Sequence, residues 1–197
     1  TCLLRPVWLL SMMAGRKKRN GVIQFMNKQL TFIFALSFLF CFSVSSYCEE
    51  SEVKREYWRN GKLKNEIHYN DGKIEGLESW FYRTGEKLEE THWKNGKKSG
   101  LVVSWNKNGR KKYETNWANG KQEGLGKWWY KNGRKKSIKH YKTGFLDGMV
   151  TEWYSSGMKK STSHYKNGNE NGFRKHWDRN GILTFQGNFI DGNEEIK

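Results

Sequence analysis

The sequence is poor in the residues that several common protein classes need. Proline occurs once in 197 residues, and cysteine occurs only at positions 2, 41 and 48. Three cysteines cannot build a disulfide framework, and no residue after Cys48 can bind a metal through sulfur. Valine, isoleucine and leucine are scarce outside the N-terminal fifth of the chain, which argues against the buried parallel strands of a doubly wound α/β enzyme.

Aromatic and positively charged residues are abundant instead. Aromatic residues make up 15% of the chain and include ten tryptophans, whereas disordered chains are poor in aromatics. Lysine and arginine number 36 against 20 acidic residues, for a net charge of +16. Such a charge suits anionic partners or simply maintains solubility. The length is that of one domain or two.

The first 48 residues differ from the rest and contain six of the basic residues and none of the acidic ones. From Met26, a short basic stretch with Lys28 precedes an apolar core from Leu30 to about Val44, and small residues follow, as in a signal peptide. The core is shorter than the roughly 20 residues of a membrane span. We expect residues 1–25 to be an upstream segment that precedes the native start, residues 26–48 to be a signal peptide, and the protein to be exported to the periplasm, cell surface or medium. An uncleaved signal anchor is the alternative.

The rest of the chain consists of a 24-residue unit that is repeated six times. Three sets of glycines and two sets of aromatics recur at this interval without insertion or deletion. We expect a short linker over 49–56 and six repeats over 57–197. The residues that define the repeat are the first glycines and the tryptophans four residues before them: Gly61, Gly85, Gly109, Gly133, Gly157, Gly181, Trp105, Trp129, Trp153 and Trp177.

The glycine spacing predicts β-hairpins. Most glycines of the first set and of the second set, which begins at Gly72, follow Asn or Asp, and such pairs favour tight turns with positive φ at both central residues. Runs of about seven to nine residues separate these turns, so we predict an all-β fold: an elongated antiparallel meander of about a dozen strands in a single twisted sheet. The third set, which begins at Gly76, lies within strands and predicts a bulge, a bend or a close backbone approach.

Period-two alternation within strands predicts where the aromatic side chains point. We expect the first aromatic set, which begins at Tyr57, and the second set, which begins at Tyr69, to form two ladders on one face. Four histidines share the position just before the second aromatic and are expected to face away from the ladders. They are His68, His92, His140 and His164.

The repeat resembles a known family. Its aromatic and glycine pattern, seen clearly from Trp129 to Gly133 and from Tyr141 to Met149, is similar to the MORN repeat and in particular to its bacterial variant, in proteins often labelled YwqK-family antitoxin. The resemblance covers about residues 57–197 and implies a twisted sheet of stacked hairpins with a scaffolding or interaction role. Some MORN arrays bind phospholipids or proteins, and the antitoxin label implies a neutralised partner.

No pattern in the sequence points to catalysis. Histidines in successive repeats would lie two strands apart, about 10 Å, which is too far to share one metal ion. Glu66, Glu90 and Glu114 also recur at 24 residues, which favours cross-strand ion pairs with Lys64, Lys112 and their neighbours over the paired carboxylates of a glycosidase. We therefore predict a non-enzyme without catalytic, cofactor-binding or metal-binding residues.

Three kinds of partner remain. The main expectation is an unidentified protein, and nucleic acid is not expected. An envelope glycan is an alternative that would use Trp80, Trp128 and the tyrosines at 82, 130 and 154, on the face opposite the main ladder. Acidic lipid is another, through basic turns that otherwise serve to keep the sheet soluble and to block edge pairing. The candidate contacts for an anionic surface are Arg110, Lys111, Lys112, Arg134, Lys135 and Lys136.

Overall fold

The computed structural model of the protein describes residues 50–195, which form one open antiparallel sheet. This confirms the predicted all-β meander of hairpins. The upstream segment and the signal peptide predicted over 1–48 lie outside the described residues. Within residues 50–195 there is no helix long and apolar enough to cross a membrane.

Sixteen strands follow one another across the sheet in chain order, with β3, β10 and β13 as short leading pieces of β4, β11 and β14. The strands are β1 (Ser51–Tyr57), β2 (Leu63–Asn70), β3 (Lys73–Ile74), β4 (Gly76–Phe81), β5 (Lys87–Lys94), β6 (Lys97–Trp105), β7 (Lys111–Ala118), β8 (Lys121–Trp129), β9 (Lys135–Lys142), β10 (Phe145–Leu146), β11 (Gly148–Trp153), β12 (Lys159–Lys166), β13 (Asn169–Glu170), β14 (Gly172–Trp177), β15 (Leu183–Ile190) and β16 (Asn193–Glu194).

The sheet begins earlier than the sequence predicted. Residues 51–57 form β1, which pairs along its length with β2, where a short linker was expected over 49–56. No turn glycine precedes this strand, so its sequence carries no repeat signal. Every residue of β1 is exposed, and the charged side chains of Lys54, Arg55 and Glu56 suit an edge that must not pair with other chains.

The turns at the second glycines are the predicted tight turns. Asn95 and Gly96 have φ of 51° and 72°, and the same pairing of two positive φ values recurs in all six repeats. Two central residues with positive φ make a type I′ turn, whose twist matches that of the flanking strands. We call the side of the sheet that carries these turns the narrow edge.

The turns at the first glycines differ from the prediction. Only the glycine has positive φ there, as at Gly61 with 78°. The Gly61 N–H donates to the Trp58 carbonyl at 2.9 Å, and the Trp58 N–H donates to the Lys62 carbonyl at 2.8 Å. This is a type I turn closed by a left-handed glycine, a three-residue loop rather than a two-residue one. We call this side of the sheet the wide edge.

The third glycines form bulges, as one of the predicted alternatives. Between the pairs Thr91↔Val102 and Trp93↔Lys98, the single residue His92 faces three residues of β6. Gly100, in the middle of the three, has φ of 101°. A Cβ at Gly100 would lie 3.3 Å from the Cβ of His92, so the bulge brings this histidine against the backbone.

The two aromatic ladders lie on opposite faces, so the prediction of one shared face is wrong. Trp93 shares its face with Thr91 and Glu89, whereas Phe81 pairs with Lys87 on the other face. Alternation within each strand was correctly expected, and the two residues that the bulge adds leave it unchanged. Residues that pair across the narrow-edge turn are an odd number of positions apart, as in Tyr69↔Ile74 and Asn65↔Trp80, so aromatics twelve positions apart lie on opposite faces.

We call the face of the second aromatics the packed face, because most of the buried side chains lie there. They are small: Asn65, Thr91, Val102, Ser104, Thr115, Ser137, Val150, Ser161 and Ser163, with Phe189 at one end. We call the face of the first aromatics the open face, where Ser79 and Val103 are buried. With so few buried aliphatic side chains in residues 50–195, cohesion relies on the hydrogen-bonded ladder and on aromatic contacts between strands.

Candidate binding surfaces

On the open face, aromatic and lysine side chains alternate in one row beside the wide edge. Four of the aromatics pair directly with a lysine of the next strand, as in Trp105↔Lys111 and Trp153↔Lys159, whereas the last, Trp177, pairs with Leu183. Lysines also lie over the ring of the following repeat, with Nζ of Lys111 5.8 Å from the centroid of Trp129 and Nζ of Lys159 5.4 Å from that of Trp177. These distances suit cation–π contacts. We call this set, from Phe81 to Trp177, the aromatic–lysine row.

A second row crosses the middle of the open face through direct pairs between every two neighbouring strands. It consists of Arg55, Glu66, Ser79, Glu90, Val103, Glu114, Lys127, Ile138, Thr151, Thr162, Lys175 and Gln186. Acidic residues occupy its first half only. We call it the middle row.

The acidic residues of the middle row are paired with cations, but not with the predicted Lys64 and Lys112. Glu66 and Glu114 have cross-strand partners, whereas Glu90 contacts Lys87 of its own strand. Arg55 donates to Glu66 at 2.5 Å, and Glu114 accepts from Lys111 at 2.7 Å and from Lys127 at 2.8 Å. The hydrogen bond from Arg55 lowers the pKa of Glu66. Partial burial works against ionisation of Glu114, but hydrogen bonds from its two lysines outweigh burial and lower its pKa.

The fourth repeat changes this arrangement. Lys87 and Lys111 each pair with the glutamate three residues later, Glu90 and Glu114. At the same position the later repeats carry Ile138, Thr162 and Gln186. Within residues 50–195, Lys135, Lys159 and Lys175 consequently have no acidic partner.

A third row on the open face, beside the narrow edge, leaves apolar side chains exposed. Leu101, Leu125, Met149 and Phe173 are exposed to 38, 40, 45 and 59%. Each pairs with the histidine or asparagine of the next strand. We call these four residues the apolar row.

Two of the four repeat histidines, His92 and His164, make a hydrogen bond to the backbone at a bulge. Nδ1 of His92 lies 2.8 Å from the Leu101 carbonyl, just beyond the bulge glycine, and Nδ1 of His164 lies 3.5 Å from the Phe173 carbonyl. Nδ2 of Asn116 donates to the Leu125 carbonyl at 3.4 Å. Because the acceptor is a carbonyl, Nδ1 must carry the proton, which explains why asparagine replaces histidine in some repeats. Among residues 50–195, no group of three His, Cys, Asp or Glu side chains could hold a metal ion.

The six basic residues singled out as anionic-surface contacts do not act as one rim. Arg134 donates its guanidinium to the Ser156 carbonyl of the next loop, and Arg110 reaches the Lys131 carbonyl at 3.5 Å. Lys111 and Lys135 belong to the aromatic–lysine row on the open face. Lys112 and Lys136 occupy the position at which Lys64 and Lys160 meet acidic side chains of the packed face, Glu56 and Glu152. Each basic triplet is thus divided between a loop and two faces.

The aromatic residues considered for glycan binding lie on the packed face and at the wide edge. Nε1 of Trp80 donates to Glu78 at 2.8 Å, and the ring of Trp128 lies 6.2 Å from that of Tyr141. These tryptophans therefore share a face with the second aromatic ladder. The tyrosine hydroxyls at 82, 130 and 154 donate to the carbonyls of the first aromatics 23 residues later, at 2.7–2.9 Å. They join successive wide-edge loops.

Contacts at the narrow edge also join repeats, and sequence reasoning missed them. The Gly96 N–H donates to the Ile74 carbonyl at 2.9 Å, and the same backbone bond recurs in each later turn. Glu75 accepts from the Asn95 N–H at 2.5 Å, and Glu123 accepts from the Thr143 N–H at 2.7 Å. The recurrence of acidic residues at 75, 123 and 147 was the available signal.

On the packed face, the acidic side chains are engaged by aromatic donors. Nε1 of Trp93 donates to Glu78 at 2.7 Å. The Tyr113 hydroxyl donates to Glu89, and burial, with the neighbouring Glu89 carboxylate, raises the pKa of this tyrosine. Burial also raises the pKa of Tyr141. The Tyr113 hydroxyl thus remains a protonated donor at neutral pH and links β7 to Glu89 of β5.

Comparison with known proteins agrees with this architecture. A family model described as MORN repeat variant matches residues 53–71, 74–95, 122–143 and 146–167. Each match ends on the first central residue of a narrow-edge turn, so the family unit corresponds to one hairpin of this sheet. No curated protein matches the chain. Through this array of glycine-punctuated hairpins, the chain belongs to the MORN repeat variant family.

Proposed function

We propose that the protein is a non-catalytic binding module that docks a protein partner on its open face. The apolar row carries this proposal. Four large apolar side chains exposed to 38–59% recur at one position of neighbouring repeats, so they form a line and are not scattered. An exposed apolar line bordered by polar and charged rows is typical of a protein interaction site.

The surroundings of the apolar row favour a protein over the other two partner classes. The basic triplets that would contact acidic lipid are divided between the two faces and a loop. The tyrosine hydroxyls that would bind a glycan already donate to backbone carbonyls of the next loop. A repeated sheet with an apolar line instead offers a partner the same contact several times over, as solenoid-like arrays do.

Capture of a partner tests this function. We expect crosslinking in extracts of the source cell to join the protein to a partner, and the variant Met149→Ser with Phe173→Ser to lose that partner. The control is Ile190→Ser, which removes an apolar side chain exposed to 49% outside the apolar row. Equal capture by both variants would refute docking on the open face.

We further propose that the partner is a protein encoded beside this one, in the manner of an antitoxin and its target. Support comes from the family alone, in which such labels are common. Co-expression of the two neighbouring genes is the direct test. We expect the neighbour's product to co-purify with this protein and to be less harmful to growth in its presence. Unchanged toxicity would separate the binding role from the antitoxin role.

The chain is also proposed to reach its partner outside the cytoplasm. The support is the layout of residues 26–48, with one basic residue, an apolar core and small residues before an acidic stretch. A reporter that is active only after export, fused behind residues 26–48, should be active. The double variant Leu36→Arg with Leu39→Arg, within the apolar core, should abolish that activity. If the reporter stays in the cytoplasm with the unchanged segment as well as with the variant, export is refuted.

A further inference from the structure

We propose that the open face of the last three repeats binds an acidic amphipathic helix of the partner. This inference rests on the proposed docking of a protein on the open face and names the chemistry of the docked segment. Its core is a group of three lysines, Lys135, Lys159 and Lys175, which we call the lysine cluster.

The lysine cluster differs from the earlier repeats in its charge balance. Lys87 and Lys111 occupy the same repeat position as Lys135 and Lys159, and each is neutralised by a glutamate three residues later. Ile138 and Thr162 replace those glutamates, while the backbone pairing around them is unchanged. The first half of the open face is therefore internally paired, and the second half presents uncompensated positive charge to a partner.

A depression surrounds part of this cluster. It is lined by Lys159, Lys175, Thr162, His164, Phe173 and Trp177, together with Gln186. Among the described residues, no acidic side chain lines it. Lys159 is exposed and Lys175 is half-buried beside Trp177, so both amines lie next to apolar walls. An acidic side chain with an aliphatic stem, such as glutamate, matches this mixture of charge and ring surface.

The apolar row is most exposed in the same repeats. Exposure rises along it from 38% at Leu101 to 59% at Phe173. Met149 and Phe173 lie on the open face beside the bulge histidines, and the lysine cluster lies between them and the wide edge. One strip therefore offers apolar contacts on one side and positive charge on the other, which is complementary to an amphipathic segment with an acidic flank.

Spacing favours a helix as that segment. Equivalent lysines of successive repeats lie two strands apart, which is about 9.6 Å. Residues i and i+7 of an α-helix lie on one side and about 10.5 Å apart along its axis. An extended chain covers the same distance in about three residues, and residues i and i+3 of a strand point to opposite sides. A helix lying across the strands can thus present an acidic residue to each of Lys135 and Lys159.

The test uses the full-length protein and a synthetic helical peptide. The peptide carries Glu at i, i+7 and i+14 and leucines at the adjoining i+3 and i+4 positions, and a second peptide has Gln in place of each Glu. We expect the acidic peptide to bind at least tenfold more tightly than the Gln peptide in fluorescence anisotropy, with a difference that shrinks as salt rises. Equal binding of the two peptides would overturn the proposal.

Variants inside the chain locate the site. Ile138→Glu with Thr162→Glu restores the lysine–glutamate pairs of earlier repeats and should lower affinity for the acidic peptide at least tenfold. Gln122→Glu with Asn169→Glu adds the same charge away from the lysine cluster and should change affinity less than threefold. Equal effects of the two double variants would contradict the assignment.

A variant that is expected to gain binding cannot be explained by misfolding, which could otherwise account for the lower affinity of the preceding variants. Glu90→Thr with Glu114→Thr frees Lys87 and Lys111 and should tighten binding of a peptide lengthened by two heptads, while leaving the short peptide unaffected. No gain would count against the charge argument. Vesicles with acidic lipid provide the last comparison, since binding to vesicles without preference between the two peptides would assign the lysines to lipid headgroups. If the peptides fail while partner capture still depends on Met149 and Phe173, the helix proposal falls and the docking proposal stands.

Discussion

Replacing the bulge glycine Gly148 by alanine should destabilise the sheet more than the same change at Gly124. Both glycines occupy the same position in neighbouring repeats and both have positive φ, 111° for Gly148 and 74° for Gly124. They differ in their surroundings. A Cβ at Gly148 would lie 3.2 Å from the Cβ of His140, whereas none of the described residues comes within 4 Å of a Cβ at Gly124. Gly124→Ala is therefore a matched control.

The expected losses in the free energy of unfolding follow from the backbone conformation at each glycine and from the contact that a new Cβ would make. A non-glycine residue in the left-handed region costs about 1–2 kcal/mol, and this is the whole expected effect at Gly124. At Gly148, φ lies beyond that region, and sparsely populated conformations cost up to about 3 kcal/mol. The contact with His140 adds to this, because both atoms are close to the backbone and cannot move away freely. We expect Gly148→Ala to cost about 3–4 kcal/mol in the free energy of unfolding.

Chemical denaturation followed by tryptophan fluorescence measures the difference. Each kcal/mol corresponds to about 2–4 °C in melting temperature for a chain of this size, so a parallel thermal scan should show a separation of several degrees between the variants. His140→Gly added to Gly148→Ala should recover part of the loss by removing the facing Cβ. If Gly124→Ala is as destabilising as Gly148→Ala, bulge geometry does not set the requirement for glycine at this position.

Three further predictions concern charge and packing. Because cation partners lower the pKa values of Glu66 and Glu114 below their ordinary 4.5, the stability they contribute is present above that pH and is lost as pH falls through the folded pKa. Denaturation midpoints should therefore fall below about pH 4.5, and Glu114→Gln should reduce that dependence and cost about 1 kcal/mol at neutral pH. Gly126→Ala should shift the fluorescence of Trp128, because a Cβ would lie 2.5 Å from the ring, and an unchanged spectrum would contradict this packing. His92→Ala should cost about 1 kcal/mol through the lost bulge hydrogen bond, whereas His92→Asn should retain most of the stability in the same denaturation assay.

Local chemistry made the repeats predictable. A turn with positive φ at two residues needs Asn-Gly or Asp-Gly, and a bulge with positive φ needs glycine, so the 24-residue glycine pattern indicates where every strand begins and ends. The exception is β1, which precedes the first turn glycine and has no repeat signal. The wide-edge turns were also misassigned, because Asn60-Gly61 reads the same in a two-residue and in a three-residue loop.

Contacts between repeats were less predictable, because they join residues 20–24 positions apart. The sequence around Tyr82 does not show whether its hydroxyl donates to the Trp105 carbonyl or is exposed to a ligand. The basic triplets show the same limit. The guanidinium of Arg134 donates to a carbonyl of the neighbouring loop, and the two lysines that follow it point to opposite faces, although all three residues are contiguous in sequence.

The array of glycine-punctuated hairpins follows from the amino-acid sequence alone, since turns and bulges depend on the φ preferences of single residues. Which side chains share a face follows only from the folded sheet, because the pairing of neighbouring strands fixes how alternation continues from one strand to the next. This strand pairing places the two aromatic ladders on opposite faces and leaves Leu101, Leu125, Met149 and Phe173 exposed on one of them. It also places Lys135 and Lys159 where the acidic partners of earlier repeats are missing. The scarcity of buried aliphatic residues evident in the composition thus reflects a single sheet with two solvent-facing sides.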